Sequence, residues 1–230
     1  MATSLHERAV APDIEDRGST VSPSPYPRSK RALDVALAAP ALLVAAPILA
    51  AIRLAMLASG DRGPFLYRAV RVGEGGLPVT VFKIRTMRPR EDGPMVTTRD
   101  DGRITPLGRS LRRHKLDELP QLWNVLVGDM GLVGPRPEDP SYVDFADPVH
   151  RQVFTQRPGI TGLAQLQFRN EAELLEGANA DRMYREEILP AKLRLDREYL
   201  EQRSLRLDLA IIARTVAAVF GRGASGHGSA

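Results

Sequence analysis

The sequence predicts a mixed α/β protein, mostly helical and monotopic. A re-entrant helix-break-helix hairpin at 30–58 is followed by a compact cytoplasmic domain at 59–220 with a few short strands. Three observations carry this prediction. Residues 35–52 form an unbroken apolar run, close to the ~20 residues that ~30 Å of hydrocarbon requires. Pro40 and Pro47 interrupt that run, and an interior proline removes an intrahelical hydrogen bond and kinks or breaks the helix. Cations lie on both sides of it, with Arg28, Lys30 and Arg31 before and Arg53, Arg62, Arg68 and Arg71 after. Positive flanks mark the cytoplasmic side, so both ends are expected there. The alternatives are an ordinary span with a cytoplasmic domain, or a buried core hairpin.

The flanking segments follow from composition. Residues 1–29 mix charge with Ser and Pro and carry no hydrophobic period, which predicts a disordered tail. The Gly/Ser-rich residues 221–230 read as a second flexible tail. After the hairpin, Phe65-Leu66-Tyr67 and Val79-Thr80-Val81-Phe82 are β-prone runs separated by the turn sequence GEGGLP. Lys83, Arg85 and Arg88 then form a basic cluster that suits either phosphate binding or a solvated strand end. EDGPMVTTRDDGRITPLG, residues 91–108, reads as loop and 107–116 as a short basic helix. A helix is expected around 142–154, a charged helix with apolar periodicity over 181–203, and an amphipathic helix over 205–220. That last helix fits packing on the core or lying in the membrane interface.

Composition removes some function classes. The 230 residues carry 32 Lys+Arg against 28 Asp+Glu, a formal net charge of +4, which suits phosphorylated substrates and anionic headgroups. The 5% aromatic content argues against a base-stacking surface, and no nucleic-acid partner is expected. With no cysteine, disulfide frameworks, zinc–thiolate sites and thiol nucleophiles are excluded.

Residues 116–137, LDELPQLWNVLVGDMGLVGPRP, concentrate the chemistry. Asp117 and Glu118 precede an apolar helical pattern of Leu119, Leu122, Trp123 and Leu126. Asp117 reads as its N-cap, Pro120 falls in the first turn, Gly128 is a C-cap candidate, and Trp123 is expected in the core. A Gly/Pro-rich turn then carries Arg136 back towards the acids. Further on, RPGITG forms a second Gly/Pro turn headed by Arg157. His114 reads as a surface residue and Asp129 as a turn-stabilising acid.

KRALD, FKIRTM, LDELPQLWNVLVGDMGLVGPRP and RPGITG, in that order and spacing, resemble the bacterial sugar transferases, the monotopic polyprenyl-phosphate sugar-1-phosphate transferases. The likeness covers roughly 30–220, and without a further N-terminal membrane region the chain looks like the minimal form. The resemblance implies transfer of a sugar 1-phosphate from a UDP-sugar to polyprenyl (undecaprenyl) phosphate with release of UMP, the first step of glycan assembly. It makes Asp117 the nucleophile that forms a covalent phosphosugar adduct and Glu118 the residue holding Mg²⁺. It also makes Arg112, Arg136 and Arg157 substrate and phosphate contacts, with the basic cluster of Lys83 and Arg85 beside them. The bend of the membrane helix falls at Pro47, where Ala46 stands in place of the family's serine. The implied location is the cytoplasmic face of a bacterial inner membrane, with downstream glycosyltransferases as possible partners. Galactose, glucose and acetamido sugars are all compatible with the sequence. Two other readings remain: a membrane-anchored basic adaptor without catalysis, and a metal-dependent phosphohydrolase of lipid diphosphates.

Overall fold

The structure, a computed structural model, describes residues 27–88, 97–98, 101–175 and 179–220. Most of the expected tails, and residues 91–96 and 99–100 of the expected loop, lie outside the described residues. The chain opens with helix α1 (Arg28–Ala58), which contains both Pro40 and Pro47. The expected break at Pro47 is therefore replaced by a single helical element. Each proline forfeits one backbone donor, but the run of Ala and Leu around it has high helix propensity and the element continues.

The side of α1 turned inward is a stripe of Lys30, Asp34, Ala38, Ala45, Ile52 and Met56, while Leu43, Val44 and Leu54 are exposed. The stripe is anchored at both ends. Ala38 packs with Ala69, Val81, Val125 and Met130, and Ile52 and Met56 pack with Ile84 and Leu111. Polar ties reinforce the N-terminal contact. Lys30 donates to Asp208 at 2.7 Å, and Asp34 accepts from the Leu132 amide at 3.2 Å.

The two β-prone runs are strands β1 (Leu66–Val72) and β2 (Pro78–Ile84), longer than the runs suggested and paired as an antiparallel hairpin, with Ala69 opposite Val81 and Arg71 opposite Val79. Helix α2 (Pro106–Arg113) begins at Thr105, whose hydroxyl accepts from the Gly108 amide at 2.9 Å. A 3-10 turn (Leu116–Glu118) leads into α3 (Gln121–Val127). Asn124, fully buried on α3, clasps β2 with its side chain, accepting from Phe82 N at 3.1 Å and donating to Thr80 O at 2.7 Å. Loss of that side chain would remove two hydrogen bonds between α3 and β2, roughly 0.5–1.5 kcal/mol each. Gly128 ends α3 with φ 102°, as expected of a C-cap glycine. The guanidinium of Arg31 covers the last carbonyls, those of Val125 and Leu126.

The two Gly/Pro turns meet as a parallel strand pair that the sequence reading missed, β3 (Gly131–Val133) beside β4 (Gly159–Thr161). Gly159 permits the approach, because a Cβ there would lie 2.1 Å from the Gly134 nitrogen. The expected helix near 142–154 is two pieces, a 3-10 turn (Pro140–Tyr142) and α4 (Pro148–Val153), capped by Asp139 and Asp147. Short helices α5 (Leu163–Gln167), α6 (Glu171–Leu174) and α7 (Ala180–Met183) follow. A π-helical turn (Tyr184–Ile188) then runs into α8 (Leu189–Gln202). Last comes α9 (Leu205–Phe220), whose Ile211 packs with Val133 and Tyr199. That contact is the packing arrangement of the two expected for the final helix, although Leu205, Leu209 and Val216 stay exposed.

Candidate active site

The site forms where the 3-10 turn before α3 meets the face of the β1–β2 hairpin carrying Tyr67, Ala69 and Arg71 opposite Lys83, Val81 and Val79. Lys115 precedes the turn at φ 58°, a left-handed conformation that is strained for a side-chain-bearing residue. It bends the chain so that Asp117 points inward. Asp117 is 6% exposed and caps nothing: α3 starts at Gln121 behind Pro120, without a side-chain cap bond. Asp117 Oδ1 is buried and unpartnered. Its neighbour Glu118 is occupied, accepting from Lys83 Nζ at 3.1 Å.

This division sets the electrostatics. Burial, and then the charge of Glu118, push the Asp117 carboxyl above its usual range, while Lys83, Lys115 and Arg112 pull the other way. Glu118 is also desolvated, but Lys83, Lys115 and Arg136 together hold it well below the usual carboxylate range. Burial lowers Lys83, with Glu118 opposing. One carboxylate is thus neutralised by a lysine, and the other is left with a bare oxygen.

A small cleft of about 40 Å³ adjoins the pair, lined by Lys83, Glu118, Gln121, Arg71, Arg136 and Gln165 among others. The amide of Gln165 donates to Gly134 O and Gly159 O at 3.3 and 3.2 Å, pinning the two Gly/Pro turns together. Behind Arg136 lies a buried network. Glu138 sits 3.7 Å from both Arg136 Nε and Lys192 Nζ and accepts from the Tyr184 hydroxyl at 2.6 Å. Lys192 also pairs with Glu171. Asp196 accepts from the Arg136 amide at 3.3 Å, and burial pushes its pKa up to about 8. Against burial, Glu171, Glu138 and Glu118 hold the Arg136 guanidinium firmly protonated.

The sequence-selected residues divide accordingly. Lys83, Glu118 and Arg136 line the cleft, while Asp117, the residue before Glu118, is buried and not among its lining residues. Of the arginines on α2, Arg112 is half-buried and acts on Asp117, whereas Arg109 and Arg113 are exposed. Arg157 is turned elsewhere: it donates to Glu74 on the hairpin turn at 3.0 and 3.2 Å and lies against Gly128 at the far end of α3. Arg85 pairs with Asp61 and donates to Pro64 O at 2.8 Å, bracing the linker after α1. His114 is exposed, as expected, and Asp129 accepts from Asn124 at 3.3 Å, a turn-stabilising contact. Trp123 is not core but 54% exposed. In so short a helix the inward positions are Gln121, Asn124 and Val125, which leaves Trp123 on the outer side. The sequence reading missed Arg71, Gln165, Glu138, Lys192 and Asp196. Their available signal was polar residues at inward positions: Arg71 shares a strand face with Ala69, and Lys192 and Asp196 stand four apart within an apolar helical period.

Residues 26–222 match the family profile described as bacterial sugar transferase. The chain belongs to this family. A UDP-glucose:undecaprenyl-phosphate glucose-1-phosphate transferase of Caulobacter vibrioides is 42% identical over 193 residues, 81% of this chain and 68% of its own length. The Escherichia coli protein of the same description is 37% identical over 197 residues, 81% of this chain and 39% of its own length. The exopolysaccharide production protein ExoY of Sinorhizobium fredii is 31% identical over 208 residues, 83% of this chain and 85% of its own length. Against these relatives the chain ranges from nearly the whole protein to well under half of it.

The buried acid behind Arg136 gives a pH prediction for this sugar-transferase fold. Asp196 keeps its proton to about pH 8 when folded, whereas an unfolded aspartate loses it near pH ~4. Its contribution to stability is therefore full in acid and declines as pH rises between those values. The Asp196→Asn variant retains an acceptor for the Arg136 amide. It is expected to melt several degrees above the parent at pH 8, with the gap closing towards pH 5, as measured by thermal unfolding in detergent.

Proposed function

We propose that this chain transfers a sugar 1-phosphate from a UDP-sugar to undecaprenyl phosphate and releases UMP, the entry step of exopolysaccharide or related glycan assembly. The carrying observation is the unpartnered, buried oxygen of Asp117 beside a Glu118 already neutralised by Lys83. An adaptor needs no such arrangement. Two of the relatives are named for glucose, and UDP-glucose is the donor the proposal takes first.

The chemistry proceeds in two displacements. An Asp117 carboxylate oxygen bonds to the sugar-bearing phosphorus, and the bond from that phosphorus to the bridging oxygen breaks, its electron pair leaving with UMP. A phosphate oxygen of the lipid then attacks the same phosphorus. The aspartyl bond breaks, the carboxylate is restored and a lipid diphosphate sugar leaves. Covalent catalysis of this kind divides one difficult step into two. Lys83, Arg112 and Arg136 supply fixed positive charge around the phosphoryl oxygens, which is where such reactions are accelerated.

The donor set fits Mg²⁺, which takes one or two carboxylates and completes its shell with substrate phosphates and water. Glu118 would hold the ion through the carboxylate oxygen that Lys83 does not occupy. When bound it supplies further neutralisation of phosphate charge.

The membrane geometry joins this proposal. Ala38 and Met56 both pack on the domain that carries the site. A helix crossing ~30 Å of hydrocarbon would deliver one of them to the opposite side. A single helix kinked but unbroken at Pro47, lying in one leaflet of the inner membrane at its cytoplasmic face, satisfies both contacts, and its exposed Leu43, Val44 and Leu54 would face lipid.

The Asp117→Asn variant, in detergent with Mg²⁺, UDP-glucose and undecaprenyl phosphate, is expected to lose about 10³-fold or more of UMP release. Undiminished turnover would contradict the mechanism, and phosphate release without lipid acceptor would point to a phosphohydrolase. For topology, the cysteine-free chain allows single labels. Ser4→Cys and Ser229→Cys should both react with a membrane-impermeant maleimide only after the inner membrane is opened, whereas a spanning helix would expose one of them in intact spheroplasts.

A further inference from the structure

The cleft contains a cation the chemistry above does not use. Arg71 lies on the same hairpin face as Lys83, with Val81 between them: Arg71 is opposite Val79, and Lys83 is two residues beyond Val81 on the other side. Four residues of strand separate their backbone positions by roughly 13 Å. Both long side chains line the cleft. At about 40 Å³, this space suits phosphoryl groups and not a whole nucleotide sugar, since ligand pockets for molecules of that size run to several hundred Å³. A diphosphate has two phosphoryl groups to neutralise. Lys83, held on Glu118, marks the end at which Asp117 acts, and Arg71 marks a second position along the same face.

Arg71 is paired with Asp139 in a form that is cheap to exchange. The two side chains are 27% and 28% exposed, so water and a ligand phosphate can reach the pair. Only Asp139 Oδ2 meets Arg71. Asp139 Oδ1 accepts from the Ser141 amide at 3.2 Å and the Ser141 hydroxyl at 2.9 Å, so Asp139 stays anchored if Arg71 turns away. Arg136, in contrast, is locked to its surroundings through Glu138, Tyr184 and Lys192. The planar fork of an arginine matches phosphate oxygens in pairs.

We infer that Arg71 binds the nucleoside-side phosphate of the donor, the one that leaves as UMP, and that Asp139 is the resting counter-ion it exchanges for that phosphate. This rests on the proposed function and adds a residue and a subsite to it. The phosphate recognised is the nucleotide's rather than the lipid's, because Arg71 is set away from the Asp117 end, where the lipid phosphate must arrive to release the adduct.

The test measures UMP affinity by calorimetry on the full-length protein in detergent with Mg²⁺, alongside KM for undecaprenyl phosphate. Arg71→Gln should weaken UMP binding by roughly tenfold or more, the loss expected for a charge-assisted contact, and leave KM for the lipid unchanged. Asp139→Asn retains the acceptor for Ser141 and removes the competing charge, so it should tighten UMP binding by about two-fold or more. The opposite signs separate ligand binding from scaffolding, because a purely structural ion pair would lose affinity alike in both variants. Equal losses, an unchanged UMP affinity in Arg71→Gln, or a rise in lipid KM instead would each overturn the inference while leaving the proposed function standing. Failure of the unaltered protein to bind UMP would overturn both.

Discussion

Two adjacent carboxylates can be desolvated together only if something neutralises one of them, and the arrangement around Lys83 answers that constraint. Lys83 must reach Glu118 from a strand, so β2 must lie against the turn that carries the acids. Asn124 secures this by bonding α3 to the backbone of β2 on both sides of Val81. With Glu118 satisfied, Asp117 is left with a buried acceptor and no donor, a state that costs about 1–3 kcal/mol in a folded protein. On the proposed mechanism, that cost is reactivity held in reserve.

The helix that follows the acid pair receives the long apolar helix α1. Arg31 covers the C-terminal carbonyls of α3, and Ala38 packs on Val125. Acid-bearing turn, hairpin and apolar helix are therefore one packed unit. The buried group behind Arg136 is built on the same economy. Two cations, Arg136 and Lys192, meet two carboxylates, Glu138 and Glu171, while Asp196 retains its proton. The π-helical turn at Tyr184–Ile188 falls within this network, in keeping with the habit of such turns to occur at functional sites. It places the Tyr184 hydroxyl on Glu138.

Much of this was legible in the sequence wherever local chemistry decided the outcome. The β1–β2 hairpin followed from its GEGGLP turn, the end of α3 from Gly128, and the acid pair, Lys83 and Arg136 from motif order. Features set by tertiary packing were not legible. The assignment of Asp117 as a helix cap failed because Lys115 takes a left-handed conformation and turns the carboxylate inward. Trp123 looked like core because hydrophobicity was read without the Asn124 clasp that occupies the inner side. Arg157 was selected by its motif and Arg85 by its basic cluster, and the structure pairs them with Glu74 and Asp61. Lys192 and Asp196 were hidden because a lone buried charge is disfavoured, and only the assembled network makes several of them acceptable.

The central claim is that neutralising Glu118 leaves Asp117 to form the bond. Its most direct measurement is mass analysis of the protein, acid-quenched after exposure to UDP-glucose and Mg²⁺ without lipid acceptor. The account predicts one hexosyl phosphate added per chain, localised by fragmentation to Asp117 and removed when undecaprenyl phosphate is supplied. An adduct on Glu118, or lipid-dependent turnover with no adduct on the protein, would contradict it.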